Sequence, residues 1–396
     1  MSGGWGRLEG IRPVKLARFL LEEGVCDPSN QYMRLYGATE EYASLACEIA
    51  RRELNILKDV SNNDIGLYIG IPFCRTRCLY CSFVTNFSNR ALALIDDYLV
   101  CLKKELEHTV TLIRDLGLKI RTVYIGGGTP TILSANQLES LLIFINEIIR
   151  DMSVYDNYLK TNLNNYTEFT VEAGRPDSLD REKLERIFAQ GVNRICINPQ
   201  TMNDSVLEFI GRRHTSQDII RAFNDARDIG FTNINMDLIA GLPNDTFESF
   251  EDSLKALLEL SPEGITVHTM SIKRGSRLNE NLQDYNLAED IEVSKMVDAA
   301  RYYLGQAGFN PYYLYRQKNI LGNLENIGYA KPEFESLYNI MIMEEVSTIV
   351  AVGAGSVTKV VRDDKIDRIF NVKEPLDYIA RIDEMLARKN KIVELI

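Results

Sequence analysis

The sequence predicts an α/β fold in which six βα units form a partly open (β/α)₆ barrel. From about Asp64 to Met270, short apolar runs alternate with longer helical patterns, which is typical of a parallel sheet with crossover helices. The six runs are fewer than the eight strands that close a full barrel. Three glycines end helical patterns just before a strand, where a left-handed C-cap favours glycine: Gly117, Gly191 and Gly230.

The predicted elements follow in chain order. The strands are Gly66–Ile71, Arg121–Ile125, Thr167–Glu172, Asn193–Ile197, Thr232–Ile239 and Gly264–Met270. Between the first two, apolar residues recur every three or four positions from Ile95 to Ile113, which predicts an amphipathic helix. Thr215 and Asp218 match a variant capping box and predict the start of another helix.

The same patterns divide the chain into three predicted segments. Residues 1–63 form an N-terminal helical segment, with helical patterns over Val14–Leu21 and Glu40–Leu57. Residues 64–275 form the core barrel. Residues 276–396, rich in tyrosine and glycine, form a smaller C-terminal α+β region.

Composition excludes several classes of protein. The net charge of −11 and the lack of a Lys/Arg block argue against a nucleic-acid-binding face. No apolar run reaches the roughly 18 residues of a membrane span, and the N-terminus lacks a signal sequence, so a cytoplasmic protein is expected. Seven cysteines, an odd number, argue against a disulfide framework and fit a reducing compartment.

Cys74, Cys78 and Cys81 form a CxxxCxxC triplet directly after the first predicted strand. Thiolates are the ligands that iron–sulfur clusters require. Three thiolates can hold three irons of a four-iron cluster and leave the fourth iron open, much as catalytic metal sites keep one position free. Two alternatives are a zinc site completed by a distant histidine and three unligated core cysteines. Zinc sites usually contain a second CxxC pair, which this chain lacks.

Other candidate residues lie at or just after the C-terminal ends of the remaining strands. Barrels of this kind place their chemistry at the C-terminal ends of the strands, so these residues predict a single active site on one rim. The alternatives are purely structural roles: a tight turn for the glycines, and anchoring of a neighbouring loop for the carboxylates. In strand order, after the cysteine loop, the candidates are Gly126–Pro130, Glu172, Gln200, Asp237 and Ser271.

Several segments together resemble the oxygen-independent coproporphyrinogen III oxidase family, the HemN-like radical S-adenosylmethionine (SAM) enzymes. The resemblance extends from about Leu67 to Pro243 and comprises IPFCRTRCLYC, YIGGGTP, GVNRICINPQ, FIGRRH and NMDLIAGLP. The C-terminal segments YYLYRQKNILGNLENIGYA and VGAGSVTK are similar to the coproporphyrinogen dehydrogenase HemZ branch of this family.

The resemblance implies two cofactors and their ligands. Cys74, Cys78 and Cys81 would bind a [4Fe-4S] cluster, and SAM would chelate the open iron. Phe83 and Ser271 match more loosely, and Arg213 competes with its neighbour for the SAM carboxylate. The implied SAM-binding residues are Tyr68, Gly127, Gly128, Thr129, Glu172, Gln200, Arg212 and Asp237. No catalytic side chain beyond these two sites is assigned.

The resemblance also implies a reaction. A reduced cluster would split SAM into methionine and a 5′-deoxyadenosyl radical, which removes a β-hydrogen from a propionate of coproporphyrinogen III. Loss of carbon dioxide and one electron would leave a vinyl group, and two rounds would give protoporphyrinogen IX in heme biosynthesis. The implied partners are a tetrapyrrole substrate and an electron donor such as flavodoxin or ferredoxin.

A tetracarboxylate substrate requires local cations in so acidic a chain. Arg316 and Lys318, among three tyrosines, are candidate carboxylate clamps, and a packed domain face is the alternative. Of the three histidines, only His268 lies near the predicted rim, where a core histidine with satisfied hydrogen bonds is the alternative.

The chain departs from the family pattern at two positions. Phe83 stands where the well-studied oxidases have a fourth cysteine, as it does in the HemZ and heme-chaperone (HemW) branches, and Cys196 replaces the serine of an RxSxGxQ pattern. For Cys196 we expect a buried strand thiol. Two alternatives therefore remain: a heme carrier, or a radical SAM enzyme that acts on another tetrapyrrole. The start of the chain close to Trp5 also suggests that an N-terminal extension of its relatives is absent.

Overall fold

A computed structural model describes residues 4–8, 12–83, 86–150, 168–362 and 365–396. Its centre is a run of six parallel strands in which each strand pairs with the next along the chain. These strands are β1 (Asp64–Ile71), β2 (Lys119–Gly127), β3 (Glu168–Glu172), β4 (Arg194–Cys196), β5 (Ile234–Ala240) and β6 (Gly264–Thr269).

The predicted fold class is confirmed. Each predicted strand coincides with an observed one to within a few residues at either end, except that Thr167 lies outside the described residues. The apolar runs are almost wholly buried because helices cover one face of the sheet and the other faces the interior. The three glycines have the predicted positive φ, with +68° at Gly117, +78° at Gly191 and +119° at Gly230. Thr215 and Asp218 form the predicted capping box.

The C-terminal strands extend the same sheet at both edges. The added strands are β7 (Asn310–Tyr315), β8 (Asn326–Ala330), β9 (Ile349–Val352), β10 (Val357–Arg362) and β11 (Lys365–Phe370). Within the described residues the sheet has eleven strands in the order β11-β10-β9-β1-β2-β3-β4-β5-β6-β8-β7. Strand β9 runs parallel to β1, whereas β8 runs antiparallel to β6. The described part of residues 276–396 thus shares the sheet of the barrel, and the three segment boundaries stay predictions.

Helices surround this sheet. They are α1 (Pro13–Glu22), α2 (Pro28–Tyr36), α3 (Glu40–Leu57), α4 (Asn89–Leu92), α5 (Ile95–Asp115), α6 (Ala135–Arg150), α7 (Arg181–Ala189), α8 (Asp204–Phe209), α9 (Ser216–Ile229), α10 (Phe247–Leu260), α11 (Arg277–Glu280), α12 (Asp290–Gln306), α13 (Leu337–Glu344), α14 (Pro375–Ala380), α15 (Ile382–Lys389) and α16 (Lys391–Leu395). The described part of the chain contains no helix long and apolar enough to span a bilayer.

Helix α2 was not predicted, although its ends carry ordinary signals. The carboxylate of Asp27 accepts a hydrogen bond from the backbone N–H of Asn30, and Pro28 occupies the first turn. Gly37 ends the helix with a φ of +70°. The helix has only nine residues and buries only Pro28 and Tyr32, so it offers too few apolar positions for a periodicity to be recognised.

Helix α13 packs against the inner face of the sheet. The ring of Tyr338 stacks on that of Tyr124 in β2 at 4.3 Å between centroids. The carboxylate of Glu168 in β3 accepts hydrogen bonds from Ser336 Oγ at 2.8 Å and from the Leu337 backbone N–H at 2.7 Å. A carboxylate at a helix N-terminus also interacts favourably with the helix dipole. Helix α13 therefore covers the inner face of the sheet beside β2 and β3.

Two buried carboxyl groups join this helix to the N-terminal helices. Glu53 in α3 and Glu344 in α13 are fully buried, and their carboxylate oxygens have no hydrogen-bond partner among the described residues. Arg18 lies 3.6 Å from Glu344. Burial, together with the charge of Glu344, raises the pKa of Glu53 well above its ordinary value, and burial raises the pKa of Glu344 to about 7.

These shifts predict a pH-dependent stability. The folded state retains protons that the unfolded state loses above a pH of about 4.3, so the free energy of unfolding falls as the pH rises toward 7. We expect Glu53→Gln to raise the free energy of unfolding at pH 8 by on the order of 2 kcal/mol, and the melting temperature with it. The effect at pH 5 should be smaller. Thermal unfolding at the two pH values measures this. Glu48→Gln, at an exposed position of the same helix, is the control. If Glu53→Gln lowers the free energy of unfolding equally at both pH values, this prediction is contradicted.

Candidate active site

A cavity of about 660 Å³ opens at the C-terminal ends of the six parallel strands. Residues that lie within or directly after each of these strands line it. The sequence-predicted site residues among them are Cys74, Cys78, Cys81, Gly127, Gly128, Thr129, Glu172, Gln200, Arg212 and Asp237. The weaker candidates Phe83 and Ser271 line it too. The structure thus brings together almost the whole predicted site.

Backbone hydrogen bonds hold the cysteine loop against two other segments. The N–H of Leu79 donates to the carbonyl of Ile210 at 2.9 Å, and the N–H of Leu278 donates to the carbonyl of Leu79 at 3.0 Å. The thiols of Cys74 and Cys78 are buried, whereas Cys81 is half-buried. The loop therefore directs its three sulfurs into the cavity from a fixed backbone.

Arg175, which the sequence reasoning missed, anchors the same loop. Its guanidinium donates to the carbonyl and hydroxyl of Thr76, which lies between the first two cysteines, at 3.0 and 2.9 Å. It also pairs with Asp177 at 3.0 Å. Although burial opposes ionisation, hydrogen bonding to His214 and the charge of Arg175 hold the pKa of Asp177 well below its usual range. Because Arg175 follows Glu172 by three positions on the same rim, its place in the chain could have identified it.

The three thiols do not converge on a position for a single metal ion in the described part of the chain. No group of three His, Cys, Asp or Glu side chains within the described ranges converges closely enough to hold one metal ion. A four-iron cluster takes one thiolate at each of three irons, so its ligands stand farther apart than those of zinc. Burial raises the pKa of the Cys74 thiol to about 11, and iron ligation would favour the thiolate instead.

The glycine loop after β2 lies directly against the cysteine loop. A Cβ on Gly128 would lie 2.5 Å from the carbonyl oxygen of Phe73, and Gly127 has a φ of +115°. The N–H of Thr129 donates to the same carbonyl at 2.8 Å, and its hydroxyl lies 3.3 Å from the sulfur of Cys74. Glycine is required here because the two backbones approach too closely for a side chain.

Two carboxylates enter the cavity from β3 and β5. The hydroxyl of Tyr124 donates to Glu172 at 2.7 Å, and the amide of Asn235 donates to Asp237 at 2.7 Å. Burial raises the pKa of Glu172 to about 7, against the lowering effect of the Tyr124 hydrogen bond. A carboxyl group in this state can accept hydrogen bonds from a bound amine or hydroxyl near neutral pH.

Alternate residues of β4 and its extension face the same cavity: Arg194, Cys196, Asn198 and Gln200. The side-chain oxygens of Asn198 and Gln200 are buried without a partner among the described residues, as is Nε of Arg212. Buried polar atoms are rarely left unsatisfied, so their presence in one cavity points to a polar ligand. Cys196 is the expected buried thiol, and its sulfur accepts a hydrogen bond from Arg194 at 3.3 Å. The period of two along a strand was the available signal for Arg194 and Asn198.

Other candidates lie elsewhere. Tyr68 is outside the cavity lining. Its ring stacks beside the Tyr124–Tyr338 pair, with centroid distances of 6.2 Å to Tyr124 and 6.5 Å to Tyr338. Arg316 is buried, donates to the backbone carbonyls of Leu8, Asn323 and Leu324, and lies over the Trp5 ring, so it holds the chain together away from the cavity.

Lys318 is exposed, which leaves the predicted clamp pair outside the site. His268 does line the cavity, 3.6 Å from Asp237, with Nδ1 3.2 Å from the hydroxyl of Tyr315.

A three-cysteine loop after the first strand of an open parallel barrel, facing orphaned polar atoms, defines the radical SAM class of protein. The family model of the Radical SAM superfamily matches residues 68–257. The Bacillus subtilis oxygen-independent coproporphyrinogen-III oxidase-like protein HemZ is 39% identical over 99% of this chain and 77% of its own length. The Lactococcus lactis heme chaperone HemW is 30% identical over 83% of this chain and 79% of its own.

A structural comparison agrees on the fold. Coproporphyrinogen III oxidase (HemN) from Escherichia coli, a radical SAM enzyme, matches with a TM-score of 0.62 and 22% identity, over 84% of this chain and 72% of that one. The chain belongs to the HemN-like family of the radical SAM superfamily. Its cofactors are therefore a [4Fe-4S] cluster and SAM, and the orphaned buried atoms and the glycine cradle fit a ligand of this kind.

Proposed function

We propose that this protein is an oxygen-independent coproporphyrinogen III dehydrogenase, which converts two propionate side chains to vinyl groups and yields protoporphyrinogen IX. The observation that carries the proposal is the 39% identity to a coproporphyrinogen oxidase-like protein over 99% of the chain, which includes the C-terminal strands beyond the superfamily match. For each propionate, one hydrogen atom leaves the β-carbon, carbon dioxide departs, and an external one-electron acceptor takes the remaining electron, which leaves a carbon–carbon double bond.

When bound, the cluster and SAM supply the one-electron chemistry that removes the hydrogen atom. The residues of the chain hold and orient the reactants. Cys74, Cys78 and Cys81 would bind the cluster, and the glycine loop would let SAM approach the backbone closely. Arg212 would pair with the carboxylate of SAM, while the buried amides of Asn198 and Gln200 would hydrogen-bond its polar atoms. Tyr68, which stands outside the cavity lining, would contribute only through its neighbours Tyr124 and Tyr338.

Two of the cations that line the cavity are candidates for the substrate. Arg194 is fully buried at the cavity surface and its Nε has no hydrogen-bond partner among the described residues. Lys273, at the cavity edge, donates to Gln317. A guanidinium can hold a carboxylate with two parallel hydrogen bonds, so Arg194 is the better propionate ligand. It takes the role that the sequence suggested for Arg316 and Lys318.

An anaerobic assay tests this function. We expect reconstituted protein, given coproporphyrinogen III, SAM and dithionite, to form protoporphyrinogen IX and substrate-dependent 5′-deoxyadenosine. Product mass spectrometry checks the loss of two carboxyl groups and separates this reaction from methyl transfer or ring opening on another tetrapyrrole. If a sample that retains its iron and sulfide forms neither product, the proposal is contradicted.

A second candidate is a heme carrier. The identity to heme chaperones and the side chain of Phe83, exposed where the oxidases have a fourth cysteine, favour it. A carrier would bind heme stoichiometrically in an absorbance titration and would leave coproporphyrinogen III unchanged. The two experiments together separate the candidates.

A further inference from the structure

The loop that carries the three cysteines is surrounded by arginines. Arg75 and Arg77 lie within it, between the first two cysteines. Two neighbouring segments contact the loop: the hydroxyl of Thr76 donates to the carbonyl of Gly211 at 3.0 Å, and the side chain of Arg77 donates to the carbonyl of Gly275. These segments present three exposed arginines, in addition to the exposed Arg75 and the half-buried Arg77. We call the whole set the arginine collar: Arg75, Arg77, Arg213, Arg274 and Arg277.

The arginine collar has no carboxylate partner in the part of the chain that the structure describes. None of its members forms an ion pair with a described residue, whereas exposed arginines elsewhere, such as Arg181 and Arg381, do. On the segment from α8 to Arg213 and on residues 274–280, the exposed acids are Asp204, Glu208 and Glu280, fewer than the five arginines. In a chain with a net charge of −11, this is a local reversal of charge.

All but Arg77 lie outside the cavity lining, so substrate or SAM in the cavity would not pair with them.

Two exposed aromatic rings lie on the same segments. Phe83, two residues after Cys81, is 70% exposed, and Phe209, next to Ile210, is 40% exposed. The backbone hydrogen bond from Leu79 to Ile210 keeps these segments adjacent. Arginines and aromatic residues are the types most enriched in protein interfaces, where they contribute much of the binding energy.

We propose that the arginine collar, with Phe83 and Phe209, is the docking surface for an acidic one-electron carrier protein, such as a reduced flavodoxin. The proposal rests on the proposed function, because the cluster of a radical SAM enzyme must be reduced for each turnover. In this step the carrier loses one electron and the cluster gains it, and no bond forms or breaks. The half-buried Cys81 lies on this side of the protein, so the carrier would meet the chain where the cluster is closest to solvent. Opposite charge would speed encounter and orient the carrier.

The test compares two charge-reversal variants that alter the net charge equally. Arg274→Glu with Arg277→Glu reverses the arginine collar beside the loop. Arg34→Glu with Arg51→Glu reverses two exposed arginines of α2 and α3 that also make no ion pair with described residues. For each, 5′-deoxyadenosine formation is measured with dithionite and with an acidic flavodoxin kept reduced by its reductase.

We expect both variants to match the wild-type protein with dithionite. With flavodoxin at about 50 mM salt, the collar variant should need about tenfold more carrier than the wild-type protein to reach its half-maximal rate. At 0.5 M salt this difference in carrier concentration should become smaller, because screening weakens the attraction between the carrier and the wild-type collar. Equal carrier requirements in the two variants would overturn the proposal, as would a loss of cluster absorbance in the collar variant. Failure of the proposed function looks different: the wild-type protein with dithionite would form no protoporphyrinogen IX.

Discussion

Replacing any one of Cys74, Cys78 and Cys81 by alanine should abolish the broad absorption near ~400 nm of the reconstituted protein, and SAM cleavage with it. Each thiolate would hold one iron, and the described part of the cavity offers no further cysteine beside the loop except Cys196 on β4. Loss of a ligand leaves an iron open to solvent at a second corner, so the cluster should decay during purification. Iron and sulfide analysis, absorbance and 5′-deoxyadenosine formation measure the effect.

Matched controls exist in the same chain. Cys26 is exposed and Cys101 is half-buried on α5, and neither lines the cavity. Their alanine variants should keep wild-type iron content and SAM cleavage. A wild-type cluster in any of the three loop variants, or a lost cluster in either control, would show that the ligands have been assigned wrongly.

The strands of the barrel could be predicted from sequence because each is buried on both faces and reads as a short apolar run. The edges of the sheet could not. Strand β11 is largely exposed and carries Lys365, Asp367 and Arg368, so its pattern resembles a loop. Pairing of β9 with β1 joins residues almost 300 positions apart, between Leu67 and Val350 for example, and no local pattern records such a partner. The C-terminal region was therefore expected to stand apart from the barrel.

The site divides in the same way. Residues at strand ends were predictable because parallel strands end on one rim, as Glu172 and Asp237 show. Contacts across the fold were not. The tyrosine-rich surroundings of Arg316 suggested a carboxylate clamp. In the structure its guanidinium instead donates hydrogen bonds to the backbone carbonyls of Leu8, which is distant in sequence, and Asn323, which is near. Arg194 had no role assigned beyond its place in a strand, yet the alternation of side chains along β4 directs it into the cavity. Which cation faces the ligand depends on packing that only the folded chain defines.

The choice between Arg212 and Arg213 is the clearest case, and it leads to the second large effect. Both follow Gly211, but Arg212 is buried in the cavity whereas Arg213 is exposed. Arg212 donates to the hydroxyl of Tyr80 at 3.4 Å, while its Nε has no described partner. A buried guanidinium with a free N–H beside the cysteine loop is the arrangement that a carboxylate requires.

We expect Arg212→Gln to weaken SAM binding by about 10- to 100-fold, because a hydrogen bond to a charged group in a buried site contributes roughly 1.5–3 kcal/mol. Arg213→Gln should leave the SAM dissociation constant within about twofold of wild type, since an exposed charge one residue away is screened by water. Equilibrium binding of SAM to the cluster-loaded variants measures both constants. Cluster absorbance must stay at the wild-type level in each, which separates loss of SAM contact from damage to the cysteine loop. An affinity that falls in the Arg213 variant and not in the Arg212 variant would move the carboxylate-binding role to the exposed neighbour and place SAM nearer the cavity mouth.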